Sequence, residues 1–378
     1  MQRLIFTFIL LWLTLLLACG DDEASPSNGN NGNNNQNPDS SASGSGTLAF
    51  QAADGQAPAL NPTLVGLTRV GGKGDQYIRS LSSENGLIDA SGEGFSLLFQ
   101  LSSLSFGLAD GSDIEIDDTE SYEKTQPLPG DPGRKYVDDR IGLDFRVGFR
   151  QAGGNLQMPI FRAFMGDERQ WSLWGHAVKD VEDRGLGADT RCYQAWGMPE
   201  GRIGVQCWSD GGNSVLGREP RDLNQNPPAW LDGSYRNSPG GVAFALVNPA
   251  DGGSAESGTF IGSHVGPVVT DGWGRVYSGR VNPNLAEDSF QGQSASVQSG
   301  LLILDPSMKK VLFQASIGGD ECKGDKGFQS FLYALQVDKY LALAGSICSD
   351  ATLDSTDNAF QNDGGGGQDG WVAVVQLW

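Results

Sequence analysis

The stretch NAFQNDGGGGQDGWVAVVQLW, Asn358 to Trp378, decides the fold. It passes through an acidic, glycine-rich turn and enters an alternating apolar strand. Such a strand left unpaired presents free N–H and C=O groups that invite aggregation, so a partner for it is expected elsewhere in the chain. Two earlier strands share its form: GVAFALVNP (Gly241 to Pro249) and GLLILDP (Gly300 to Pro306). Aligned on Val247, Leu304 and Leu377, the three recur roughly 55–75 residues apart.

The segments between them recur in the same order. VLFQASIGG follows Lys310, then the hairpin LYALQVDKYLALAGSIC, then a loop containing DNAFQNDGGGGQDG, then the apolar strand. One unit earlier the order is GTFIGSHVG, the hairpin PVVTDGWGRVYSGRV, the loop EDSFQGQSASVQSG and LLILDP. A further unit runs from QWSLWGHAV through a hairpin at 192–207 and the loop NQNPPAWLDGSYRNSPGG to VAFALVNP. Near the start, TLVGLTRVGG, QYIRSLSSENGLIDASG and FSLLFQLSS make a fourth, with Asn85 and Gly86 suited to a two-residue hairpin turn. Residues 103–150 do not align with the repeat.

These residues are similar to the SBBP bacterial β-propeller repeat. The resemblance rests on Gly318 and Gly319; on Asp271, Gly272, Gly274, Val276, Tyr277 and Gly279; on Ala359, Phe360 and Gln361; and on Gly365, Gly366, Asp369, Gly370, Trp371, Val372 and Ala373. It covers about residues 240–378, a third of the chain. It implies an all-β fold, a β-propeller of about five or six four-stranded blades. The last unit lacks a fourth strand after Trp378, while TLAFQAADGQ, Thr47 to Gln56, repeats the FQA of Phe313 to Ala315. The expectation is that this N-terminal strand completes the last blade and closes the ring, which removes the edge.

The N-terminus reads as a targeting segment. Arg3 precedes a nearly unbroken apolar run from Leu4 to Leu17, followed by Ala18 and Cys19. The run is too short to span a bilayer, and the LLAC ending resembles the lipobox of bacterial lipoproteins, in which the cysteine is lipidated and becomes the new N-terminus. An ordinary signal peptide with a chance cysteine is the alternative. Residues 20–46 hold no large apolar side chain, so they cannot offset the entropy of ordering and read as a disordered tether with a reach of roughly 30 Å. The expected organisation is a lipoprotein signal peptide at 1–18, lipidated Cys19 and tether at 19–46, and the propeller at 47–378. Gly20 rather than Asp after the cysteine resembles an export pattern to the outer membrane. A lipid-anchored position there, on its periplasmic or cell-surface face, is the expectation.

The chain has 378 residues and a net charge of −20, which excludes nucleic acid as a partner because phosphate binding needs a basic surface. Beyond Cys19, four cysteines remain in an exported chain: Cys192, Cys207, Cys322 and Cys348. Folding the hairpin at MPEG, with Pro199 and Gly201 in the turn, brings Cys192 and Cys207 opposite or nearly so, and Cys322 and Cys348 flank another hairpin. Two disulfides are expected, with free buried thiols as the alternative.

Candidate ligand residues are few. His176 and His264 occupy equivalent repeat positions and would share a site if that strand lined a central channel. Two imidazoles are short of a zinc set, and each reads equally as a turn cap. Asp110, Asp113, Glu115, Asp117 and Asp118, and Asp320, Glu321 and Asp325, lack the spacing of a known calcium loop, so they read as solvated acidic loops, with calcium as the alternative and no other cofactor indicated. No nucleophile elbow, P-loop or Cys-x-x-Cys is present. Trp171, Trp174, Trp196, Trp208, Trp230 and Trp273 suit blade core better than sugar stacking. The expected role is a noncatalytic binding or scaffold module that meets a protein or glycan partner at the envelope. The alternative is an enzyme acting on envelope polysaccharide with carboxylates on the propeller loops.

Overall fold

The computed structural model describes residues 50–72, 76–92, 94–110, 134–138, 140–152, 156–210, 215–217, 231–232, 241–262, 264–281, 299–317, 330–348, 353, 355–361 and 368–378. All belong to the second of two compact units, Ser40–Trp378. The chain opens with β1 (Thr63–Val70). A first sheet then forms from β2 (Ile78–Glu84), β3 (Leu87–Gly92), β4 (Ser96–Gln100) and β5 (Ser105–Leu108). A second sheet holds β6 (Arg134–Asp138), β7 (Leu143–Gln151), β8 (Gln157–Met165) and β9 (Glu168–Leu173). After a short helix, α1 (Val178–Asp183), a third sheet has the order β10 (Thr190–Gly197), β11 (Ile203–Ser209), β13 (Gly241–Asn248), β14 (Ser254–Gly262), with the two-residue β12 (Leu231–Asp232) parallel to β14 at its outer edge. The fourth sheet is β15 (His264–Thr270), β16 (Val276–Val281), β17 (Ser299–Leu304) and β18 (Val311–Ser316). The fifth combines β19 (Ser330–Val337), β20 (Tyr340–Cys348) and β21 (Gln368–Gln376) with β1.

The final strand is apolar on successive residues because the fifth sheet is covered on both faces. Trp371, Ala373 and Val375 enter one core with Tyr277, Leu301 and Ile303 of the fourth sheet. Val372 and Val374, pointing the other way, enter a second with Ile78, Ile88, Leu97 and Phe99 of the first sheet. The third sheet behaves alike: Ala243, Ala245 and Val247 pack with Phe145 and Phe161 of the second, while Val242, Phe244 and Leu246 pack with Val268, Leu302 and Leu304 of the fourth. Four cores therefore join the sheets in the row second, third, fourth, fifth, first. Each fully buried aliphatic side chain contributes about 1.5–3 kcal/mol. Among the described residues, no comparable core joins the first sheet to the second.

The partner of the last strand is β1, antiparallel from Thr63↔Gln376 to Val70↔Gly370. This corrects the expectation that Thr47–Gln56 fills that place: residues 50–56 form no strand. TLVGLTRV holds the position in its own unit that VLFQAS holds in the unit before the last, so it forms the outer strand of the sheet built from the other end of the chain. The FQA of Phe50 to Ala52 is a local likeness only. Among the described residues the sheets number five, and residues 103–150, which do not align with the repeat, hold most of β5, β6 and β7.

The outer edge of β1 is covered as well. Leu67 N–H donates to Thr356 Oγ1 at 2.8 Å, Thr356 N–H to Leu67 O at 3.1 Å, Arg69 N–H to Gln361 O at 3.1 Å, and Asn358 Nδ2 to Val65 O at 2.8 Å. Thr68 Oγ1 accepts from the N–H groups of Phe360 and Gln361, and Gly71 N–H donates to Gln361 Oε1 at 3.0 Å. The Ala-Phe-Gln signature thus lies in a segment that seals an edge strand.

The two ends of each sheet differ. At one end the connections are tight, never longer than residues 305–310, and their turns carry positive φ at Asn85 (52°) and Gly86 (77°), and at Glu200 (57°) and Gly201 (73°). At the other end, strands that neighbour each other in a sheet lie further apart in sequence, as from Val281 to Ser299 and from Cys348 to Gln368. Across the tight-turn end runs an irregular strap, residues 50–61. The Arg140 guanidinium, in the turn before β7, lies 4.8 Å from the Phe50 ring. Ala53 N–H donates to Gly272 O at 2.8 Å, Pro58 O accepts from Arg275 Nη1 at 2.8 Å, and Asn61 N–H donates to Leu377 O at 2.8 Å.

Candidate functional site

Loops on a rigid scaffold are where binding groups concentrate, which directs attention to the end carrying the long connections. Both histidines are there. His176 lies half-buried between β9 and α1, and its carbonyl accepts from Arg150 Nη2 at 2.8 Å. His264 is the first residue of β15, paired with Val281. Among the described residues, no group of three or more His, Cys, Asp or Glu side chains is arranged to hold a metal ion. Of the acidic candidates, Asp110 is exposed, while Asp113, Glu115, Asp117, Asp118, Asp320, Glu321 and Asp325 lie outside the described residues.

Cys192 and Cys207 are directly opposite in the β10–β11 register and joined by a disulfide, with Cα atoms 3.9 Å apart. Both are buried in the core shared with the second sheet. Cys19 and Cys322 fall outside the described residues; Cys348 ends β20, paired with Gln368.

Beside this disulfide, at the end of the third sheet that meets the second, several polar and aromatic groups come together around Arg191, one of them Trp208, whose ring also packs against the core between the third and fourth sheets. Arg191, the neighbour of Cys192, has its guanidinium 5.3 Å from the Phe149 ring on β7 and 5.6 Å from the Trp208 ring on β11. Arg191 Nε donates to Gln157 Oε1 at the start of β8. The N–H of Gln157 donates to Asp189 Oδ1 at 2.9 Å, and the N–H of Asp210 donates to Asp189 O at 3.1 Å. Partial burial and then the charge of Asp189 push the Asp210 carboxyl above the ordinary carboxylate range. Phe149, Gln157, Arg191 and Trp208 are each half-buried. Reading the sequence for histidines and acidic runs passes over this group, because its members come from four separate strands and no run of residues marks it.

Among the described residues the other tryptophans serve structure, and Trp208 itself also packs against the core between the third and fourth sheets. Trp174, Trp196 and Trp371 are buried, and Trp171 packs edge-on to Phe161 with ring centroids 5.4 Å apart; Trp230 lies outside the described residues. The D-G-x-G-x-V-Y signature builds a buried knot at the tight-turn end. Asp271 Oδ1 accepts from the N–H groups of Trp273 and Arg275, and Oδ2 accepts from Arg275 Nε at 2.5 Å and Tyr277 Oη at 2.7 Å. Burial, then the Asp271 charge, raises the Tyr277 phenol well above its usual value, so it stays a donor. The signature Asp369 is likewise structural: fully buried, it pairs with Arg69 Nε at 3.2 Å.

No protein-family model matches the chain, and no curated protein sequence matches it. Among solved structures, a luciferin-regenerating enzyme is similar at 10% sequence identity and a TM-score of 0.20, over 83% of this chain and 95% of that one. A likeness at that level carries no argument about this chain.

Proposed function

We propose that the chain is a lipid-anchored protein of the bacterial outer membrane whose folded part is a five-bladed β-propeller. It acts as a noncatalytic binding module for a protein or glycan partner at the envelope. The observation that carries the binding reading is the polarity of the sheets, with tight turns at one end and the long connections at the other. In a ring of blades the long connections form one continuous recognition face. Two features support the ring: the five sheets stack in chain order, and the first strand completes the sheet that holds the last. The anchor rests on the Leu4–Leu17 run ending at Cys19, and the tether on residues 20–46. The strong negative charge favours a neutral or cationic partner over an anionic one.

The test expresses the full chain in a bacterial host and offers the membrane-extracted protein a panel of oligosaccharides and envelope proteins, with product analysis of every sugar that binds. Binding without turnover is the expected outcome, together with release of a Cys19→Ala variant from the membrane fraction. Release of shorter sugars would instead favour the second reading, an envelope polysaccharide-acting enzyme. The observation behind that reading is Asp210, whose raised carboxyl beside Asp189 is a pairing suited to acid–base work.

A further inference from the structure

We propose that the end of the third sheet where Arg191 bridges to the second is a binding subsite for a neutral saccharide, lined by Phe149, Gln157, Asp189, Arg191, Trp208 and Asp210. The inference rests on the binding reading above and assigns a site and a ligand class to it. Three planar polar groups, the Gln157 carboxamide, the Arg191 guanidinium and the Asp189 carboxylate, are tied into one network beside two aromatic rings. A sugar presents the matching chemistry. Its axial C–H faces lie against an aromatic ring, and its vicinal hydroxyls each donate and accept, which carboxylate, carboxamide and guanidinium groups satisfy in pairs.

The subsite is organised before any ligand arrives. Stacking against two rings and the bond to Gln157 hold Arg191, Asp189 takes the Gln157 N–H through its carboxylate and the Asp210 N–H through its carbonyl, and the Cys192–Cys207 disulfide fixes β10 to β11 one residue below. Little side-chain entropy is then left to lose on binding. The lining groups are half-buried and Asp210 is exposed, so the network is open to solvent on one side. Acidic glycans are disfavoured because the chain carries a net charge of −20 and two carboxylates stand in the subsite itself. A lone metal ion is disfavoured as well, since a guanidinium occupies the centre of the group.

The experiment titrates the full-length protein with neutral oligosaccharides and with uronate-containing ones of equal length, by calorimetry and tryptophan fluorescence. Neutral sugars are expected to bind and to perturb the fluorescence, with uronate chains at least about tenfold weaker. Gln157→Ala and Asp210→Asn are each expected to weaken neutral-sugar binding about tenfold, with unchanged far-ultraviolet circular dichroism. Trp208→Phe, which keeps an apolar ring, serves as a second variant that changes the fluorescence response while the protein stays folded. If neutral sugars bind and neither Gln157→Ala nor Asp210→Asn alters the affinity, the subsite is wrong while the binding reading stands. If only a protein partner binds, the ligand class is overturned; if nothing binds, both fall.

Discussion

Trp378 lies edge-on to Trp273 with ring centroids 5.6 Å apart, and the Arg275 guanidinium sits 4.9 Å from the Trp378 ring. The last side chain of the sequence therefore packs on the hairpin turn of the neighbouring sheet, one residue beyond the Leu377 carbonyl that receives the strap. Trp378→Ala removes an aromatic pair and a cation–π contact together and is expected to cost about 2–3 kcal/mol. A urea midpoint unchanged in the variant would show that this corner carries no weight.

The seal over β1 has its own signature. Thr68→Val keeps the shape but removes the acceptor of two backbone N–H groups, at an expected cost of about 1–3 kcal/mol. Asn358→Ala removes the donor to Val65 O. Both variants are expected to be cleaved faster by protease within residues 355–361 and to aggregate sooner on heating, and wild-type cleavage rates would count against the sealing role.

Reduction of the Cys192–Cys207 bridge, or the double change to Ala, opens a loop with a sequence separation of 15 and is expected to cost about 3 kcal/mol. Reductant should lower the denaturant midpoint of the wild type by more than that of the double variant.

Buried Asp369 gives a double-mutant cycle. Asp369→Ala removes the carboxylate that pairs with the buried Arg69 guanidinium and is expected to destabilise by about 3–5 kcal/mol. Combined with Arg69→Met, the loss should be clearly smaller than the sum of the single losses; strict additivity would mean that the pair is not coupled.

Asp210 sets a pH dependence of known sign. Its carboxyl binds a proton more tightly in the folded state than in the unfolded chain, so its contribution favours folding at low pH and is lost as pH rises through the raised value. Against wild type, Asp210→Asn is therefore expected to gain relative stability as pH rises from the ordinary carboxylate range toward neutrality. A difference between the two that does not change with pH would contradict the shift.

Local chemistry made much of this fold readable. Asn85 and Gly86 mark a turn because few other pairs accept positive φ at both positions, and GWVAVVQLW reads as a strand, although only the packing shows that both of its faces are covered. The partner of β21 was misplaced because a short FQA likeness outweighed the position of TLVGLTRV within its own unit, although that position is what the repeat preserves. In the second sheet β7 escapes alignment because it carries arginines and phenylalanines where the later units carry glycine and aliphatic residues. The seam around Arg191 was the least readable part. Gln157 and Arg191 lie 34 positions apart, and only the stacking of two sheets brings them together.

The strap also decides how the domain meets a pull. Because Phe50 is seated beside Arg140 and the chain then crosses to Gly272, Arg275 and Leu377 before entering β1, tension applied ahead of Phe50 enters at the pole opposite the long connections. Traction from that side must peel the strap contacts one after another before any strand is loaded, which leaves the far pole mechanically quiet while the near one is tugged.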